Sequence, residues 1–95
     1  MEIRPEAKST LLIDNERVRV TEWRFEPGAA TTWHRHQMDY VVLPMTSGVL
    51  RAELLHGAID MELQVGVPYY REAGVEHDVI NANDFEFVFI ETELK

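Results

Sequence analysis

The fold is decided by residues 28–48, which read GAATTWHRHQMDYVVLPMTSG. Residues 31–36 alternate in the manner of a β-strand, which places His34 and His36 on one face. The apolar run Tyr40–Leu43 has the length of a buried strand, and the glycines that bound the stretch are typical of turns. The stretch therefore predicts two neighbouring strands, the first of which presents two imidazoles to the same side.

Short strands are predicted along the rest of the chain as well. Apolar and β-branched runs stand between Gly, Pro, Asn and Asp, and no longer segment shows the helical period of about 3.6 residues. The predicted strands are Thr10–Ile13, Arg17–Phe25, Thr31–His36, Tyr40–Leu43, Val49–Leu55, Ile59–Val65, Tyr69–Arg71, His77–Ile80 and Phe85–Leu94. In Arg17–Phe25 the apolar residues change faces, which predicts a bulge or burial on both faces. This spacing favours an all-β sandwich or barrel.

Composition narrows the class of protein. The 95 residues suit one domain, spanning 1–95, and the net charge of −8 repels nucleic-acid phosphates and anionic membranes. The chain has no cysteine, which excludes a disulfide scaffold, a cysteine nucleophile and an iron–sulfur site. The charged segment Met1–Ser9 lacks the apolar stretch of a signal peptide, and no run is long enough to span a membrane. We expect a cytoplasmic protein with a small-molecule partner.

The histidines are the strongest candidates for chemistry. His34 and His36 lie about 7 Å apart along one strand face, from which two imidazoles can converge on a cation at about 2.0–2.1 Å. If the strand at His77 is a neighbour, it closes a three-histidine set with open positions, as in a catalytic metal site. A His-x-His pair alone also suits surface residues at strand ends. His56, in a predicted turn, receives no role.

Two blocks carry a family resemblance. The first block, residues 28–48, has regularly spaced glycines and histidines at Gly28, His34, His36 and Gly48. The second block, residues 66–81, has Gly66, Gly74, His77 and Asn81. These blocks resemble the paired motifs of the cupin superfamily, G-x5-H-x-H-x3,4-E-x6-G and G-x5-P-x-G-x2-H-x3-N. Glu72 stands where the second motif has proline. The stretch His34–Pro44 also resembles small bacterial cupins grouped with a β-alanine-degradation cupin. The resemblance implies a small antiparallel β-barrel or jelly roll.

The resemblance also implies a divalent transition metal, Fe, Zn, Ni or Mn, held by His34, His36 and His77. The glutamate of the family motif falls at Val41, which cannot bind a metal. Three outcomes follow: a true three-histidine site, a fourth ligand supplied by Asp39, or a site that has lost its metal. Asp39 also suits a solvated turn residue, which is the preferred interpretation, and Gln37 is a weaker oxygen donor for the same position.

Several other side chains have structural and functional interpretations. Trp33 and Arg35 alternate with the histidines and are expected to face away from them. Tyr40, Tyr69 and Tyr70 are candidates for the barrel mouth, where packing is the simpler role for any one of them. Asn81 either bonds a turn, which is preferred, or orients His77.

Two functions from different classes remain open. The first is a metal-dependent enzyme, dioxygenase-like or isomerase-like, that acts on a small organic or amino acid, and the sequence places no general base for it. The second is a non-catalytic small-ligand or sensor module with a degenerate metal site. Apolar residues on both faces of Leu11–Ile13 and Phe85–Ile90 further predict a homodimer formed by sheet contact.

Overall fold

The computed structural model describes residues 3–95 as nine β-strands. The strands are β1 (Lys8–Asp14), β2 (Val18–Phe25), β3 (His34–Arg35), β4 (Asp39–Pro44), β5 (Gly48–Leu54), β6 (Gly57–Leu63), β7 (Tyr69–Arg71), β8 (Glu76–Asn81) and β9 (Phe87–Leu94). Within these residues there is no helix of the length and apolarity that a bilayer crossing requires. Met1 and Glu2, the start of the charged segment Met1–Ser9, lie outside the described residues.

The strands form two antiparallel sheets that enclose one core. The first has the order β1-β2-β9-β4-β7 and the second β3-β8-β5-β6. Both sheets contribute to the buried cluster, which consists of Phe25, Ala29, Tyr40, Val42, Leu50, Val79, Phe87 and Phe89. In β4 the residues Tyr40, Val42 and Pro44 are buried and alternate with half-buried neighbours, because successive side chains of a strand point to opposite faces. The all-β barrel or jelly roll expected from the sequence is confirmed.

Most strand bounds agree with the sequence pattern, and two local features differ. The strand predicted over Thr31–His36 shrinks to the two residues of β3, because Thr32 has a φ of 73°, outside the extended region. The expected irregularity near β2 lies instead in β1, where the register shifts between Leu11 and Ile13. β2 itself pairs regularly with β9 over its full length. Its change of apolar face goes with half-burial of Val18 and Val20 on one face and burial of Phe25 on the other.

Two asparagines close the turn between β8 and β9. The buried side chain of Asn81 donates to three main-chain carbonyls, of Phe25, Glu26 and Phe85, and accepts the main-chain N–H of Asn83. This is the turn role preferred from the sequence. The Asn83 amide in turn bonds both main-chain groups of a β5 residue and lies 2.8 Å from the place of a Cβ on Gly48. A side chain at residue 48 would displace it, so this close approach requires glycine.

Candidate metal centre and its cavity

The structure brings together three of the histidines expected at a site. His34 and His77 stand opposite each other in the pairing of β3 with β8. His36 follows β3 and is fixed by its main chain, which donates to the Val75 carbonyl at 2.9 Å and accepts from the Gly74 N–H at 2.8 Å. The Nε2 atom of His36 lies 3.0 Å from Nε2 of both other histidines. The three residues therefore form one compact cluster, with candidate donor nitrogens within 4.8 Å of one another.

A strained residue sets the orientation of the first imidazole. Nδ1 of His34 lies 2.9 Å from the carbonyl oxygen of Thr32. A carbonyl can only accept, so Nδ1 carries the proton and the lone pair of the neutral ring is on Nε2, which faces the cluster. The φ of 73° at Thr32 is rarely adopted by a β-branched residue. The turn that contains this strain therefore holds His34 in the tautomer that a metal requires.

The charge state of the other two rings also suits a metal. Burial lowers the pKa of His36 and of His77 to about 4, and repulsion from the neighbouring imidazoles acts in the same direction. Both rings are therefore neutral at pH 7. A cation bound at about 2.0–2.1 Å with angles of about 90–109° would hold its nitrogens about 2.8–3.4 Å apart, which matches the observed 3.0 Å contacts. The cluster fits a small divalent ion.

The position next to the cluster is filled by a tyrosine. Tyr40 faces inward and stacks on His36, with ring centroids 3.9 Å apart, whereas Val41 lies on the opposite face of β4. Asp39 shares the face of Val41, and its two oxygens accept the Tyr70 hydroxyl at 2.6 Å and the Ala73 N–H at 2.8 Å. These bonds, the one from the tyrosine first, lower the pKa of Asp39. The Asp39 carboxylate is thus bound to Tyr70 and Ala73 and is not brought to the three histidines.

A cavity of about 410 Å³ opens beside the histidines. It is lined by Tyr40 and Tyr69, two of the three tyrosines expected at the mouth. The third, Tyr70, does not line it and donates its hydroxyl to Asp39. Gln37 lies on the cavity wall. Arg35, expected to face away, lies at its boundary too, because β3 is too short to continue the predicted alternation. Burial raises the pKa of Tyr69 to about 12 and that of Tyr40 further, so both hydroxyls stay protonated.

His56 and Trp33 lie outside the histidine cluster and its cavity. His56 is exposed in the turn between β5 and β6, as the sequence indicates. Trp33 is 47% exposed, which agrees with its expected outward direction. Neither residue lines the cavity.

The structure adds a carboxyl group that the sequence reasoning missed. Glu91 of β9 lines the cavity and is only 8% exposed. Burial, with a smaller contribution from the charge of Glu93, raises the pKa of Glu91 to about 7. A signal for it was present in the sequence, since Phe87, Phe89 and Glu91 follow one another at a period of two. The carboxyl therefore continues the inward face of two buried phenylalanines.

Comparisons with known proteins agree with this geometry. The chain is 54% identical over 92 residues to the Beta-alanine degradation protein BauB of Pseudomonas aeruginosa, and the match covers 97% of each chain. It superposes on the crystal structure of a cupin domain from Bordetella pertussis with a TM-score of 0.97 and 58% identity, covering 100% of this chain and 99% of the other.

More distant structures show the same fold. A cupin superfamily protein from Desulfitobacterium hafniense is 19% identical, with a TM-score of 0.72 over 99% of this chain and 83% of its own. Residues 21–93 match the family described as Cupin domain. This match covers most of the chain, and the chain is 54% identical to the Pseudomonas aeruginosa relative over 97% of both. The chain therefore belongs to the cupin family.

Proposed function

We propose that this cupin holds a divalent transition metal through His34, His36 and His77 and acts as a metal-dependent enzyme on a small organic or amino acid. The observation that carries the proposal is the convergence of three imidazoles at the wall of a cavity. Three protein ligands suit a catalytic site, because they leave positions open for a substrate. The cavity volume of about 410 Å³ suits a small molecule.

The chain's own residues prepare the site for such chemistry. When bound there, a first-row metal supplies Lewis-acid or oxygen chemistry, which covers dioxygenase-like and isomerase-like reactions. Thr32 fixes the orientation of His34, and the ring of Tyr40 covers one face of His36. The protonated hydroxyl of Tyr69 is available to donate a hydrogen bond in the cavity.

The pathway assignment comes from similarity. The Pseudomonas aeruginosa relative is named for β-alanine degradation, and it matches this chain over nearly the full length of both. At 54% identity, we infer that this chain serves the same degradation and that its ligand is a small amino acid or an acid derived from one.

Metal content tests the proposal directly. Elemental mass spectrometry is run on untagged protein purified without chelator, beside His36→Ala, His77→Ala and the control His56→Ala. We expect about one transition metal per chain in the wild type and the control and loss of the metal in the two site variants. If the wild type takes up no Fe(II), Zn(II), Ni(II) or Mn(II) even when loaded anaerobically, the enzyme proposal fails. The chain is then a non-catalytic binding module, and a thermal-shift screen should find its ligand.

We also propose that the protein is a homodimer. All seven residues of β1 are exposed at an open sheet edge, including Leu11 at 58% and Ile13 at 50%. Open edges with apolar side chains favour association. Lys8 and Asp14 stand at the two ends of β1, so antiparallel contact with a second copy about a two-fold axis brings opposite charges together.

Sedimentation at micromolar concentration tests the dimer. Leu12→Lys, in the middle of the open edge, should shift the protein to a monomer, because a charge would be buried in the contact. Leu55→Lys, at a 70% exposed residue in the turn between β5 and β6, is the matched control and should leave the dimer intact. A monomeric wild type rejects this proposal.

A further inference from the structure

Glu91 is a buried carboxyl without a partner. It forms no side-chain hydrogen bond or ion pair with any of residues 3–95, although it is more than nine-tenths buried. Its direct neighbours across the sheet are Thr21 on β2 and Val42 on β4, and neither bonds it. Among the described residues the fully enclosed polar atoms without a partner are Trp23 Nε1 and Asp78 Oδ1, so the Glu91 oxygens are not enclosed and remain open to a ligand in the cavity.

Two of the cations near the cavity are engaged elsewhere, and a third, Arg35 of β3, stands between two of the histidines. Arg19, opposite Glu93 in the sheet, forms an ion pair with Asp14 at 3.7 Å. Arg71 lies 4.7 Å over the ring of Tyr69 and donates to a main-chain carbonyl. No ion pair joins these cations to Glu91 within residues 3–95, so the carboxylate is uncompensated when it is ionised.

The walls around this group are aromatic. Trp23, Tyr40, Tyr69 and Phe89 line the same cavity as Glu91. Organic ammonium groups bind favourably over aromatic faces and form strong hydrogen bonds to carboxylates. Glu91 is not a further member of the histidine cluster, because its oxygens are not among the grouped donor atoms. It lines the same cavity outside that group.

We infer that this part of the cavity binds the ammonium group of a small amino acid, with Glu91 as its carboxylate partner. The inference rests on the proposed function and names the ligand class of that same site. A divalent ion held by the histidines would make one part of the cavity positive, and ionised Glu91 makes another part negative. A zwitterion matches this arrangement, with its carboxylate at the histidines and its ammonium at Glu91.

Matched probes separate the two halves of the inference. Isothermal titration calorimetry at about pH 8, where Glu91 is ionised, compares three probes: β-alanine, propionate, which lacks the amine, and propylamine, which lacks the carboxylate. The metal-loaded wild type should bind β-alanine at least about ten-fold more tightly than propionate. Glu91→Gln should lose that preference while its affinity for propionate stays the same. The control Glu62→Gln, on the exposed face of β6, should behave as the wild type.

Two further arms make failure informative. Glu91→Gln should keep the metal content of the wild type, so lost β-alanine binding cannot be attributed to a lost metal. Propylamine should still bind to metal-free His36→Ala and should not bind to Glu91→Gln, which tests the ammonium site even if the metal proposal fails. The inference is overturned if the wild type does not prefer β-alanine to propionate, if it does not bind propylamine, or if Glu91→Gln binds β-alanine as well as the wild type.

Discussion

Replacing Glu91 with glutamine should stabilise the metal-free protein, and the gain should depend on pH. The pKa of Glu91 rises from the ordinary 4.5 to about 7 on folding, because burial disfavours the charged carboxylate. One pH unit corresponds to about 1.4 kcal/mol, so the ionised group lowers the free energy of unfolding by about 3 kcal/mol. A typical domain has a free energy of unfolding of about 5–15 kcal/mol, so this is a large part of the total.

The sign follows from proton binding. Between pH 4.5 and about 7 the folded chain holds a proton on Glu91 that the unfolded chain releases, so this group destabilises the fold as pH rises across that window. His36 and His77 act in the opposite direction, since their pKa values fall from 6.5 to about 4 on folding. Both histidines are present in wild type and variant, so their contribution cancels in the difference.

Urea unfolding in the presence of a chelator measures that difference. Tryptophan fluorescence gives the free energy of unfolding of wild type and Glu91→Gln in steps from about pH 4 to about pH 8.5. The two proteins should agree near pH 4, and the variant should be about 2–3 kcal/mol more stable above pH 7. The control Glu62→Gln, at an exposed residue of β6, shows how much of the difference comes from replacing a carboxyl with an amide. A flat difference for Glu91→Gln, or one that falls as pH rises, would show that Glu91 does not titrate as a buried, unpartnered carboxyl.

Three further changes test other contacts. Gly48→Ala should lower the free energy of unfolding by about 1–3 kcal/mol in urea melts, because the new Cβ meets an Asn83 amide that three hydrogen bonds hold in place. Asn81→Ala should destabilise by at least about 2 kcal/mol in the same assay, since it leaves main-chain groups of the β8–β9 turn without partners; an effect below 0.5 kcal/mol contradicts that role. Tyr70→Phe should raise the pKa of Asp39, measured by NMR titration, and leave metal content unchanged, whereas metal loss would place Asp39 in the site.

Local pattern was enough to predict most of the strands, and the family motifs indicated the histidine cluster. Period-two alternation and turn residues act over a few neighbouring positions, so bounds such as Tyr69–Arg71 follow from the sequence alone. The cluster was accessible because His34, His36 and His77 keep the spacing of the two motifs. Their convergence still depends on the pairing of β3 with β8, which the motifs imply and the structure shows.

Register decides what the sequence alone does not reveal. Whether residue 40 or residue 41 faces the histidines depends on a shift of one position, which exchanges the two faces of a strand. The structure selects Tyr40 and turns Val41 and Asp39 away. Glu91 was missed for a similar reason. In the sequence it stands in a polar run near the end of the chain, with the period of two after Phe87 and Phe89 as the one signal, and its place between β2 and β4 shows that it is buried.

The left-handed backbone of Thr32 places two selective pressures in conflict. A conformation of this kind costs about 1–3 kcal/mol in a β-branched residue, and glycine or asparagine would adopt it more readily. Yet the carbonyl in this turn is the one that fixes the proton of His34. Evolution toward thermal tolerance alone should therefore replace the threonine, whereas lineages that depend on the site have reason to retain the precise turn. A substitution at residue 32 can therefore raise thermal stability at the cost of activity without altering a candidate metal ligand.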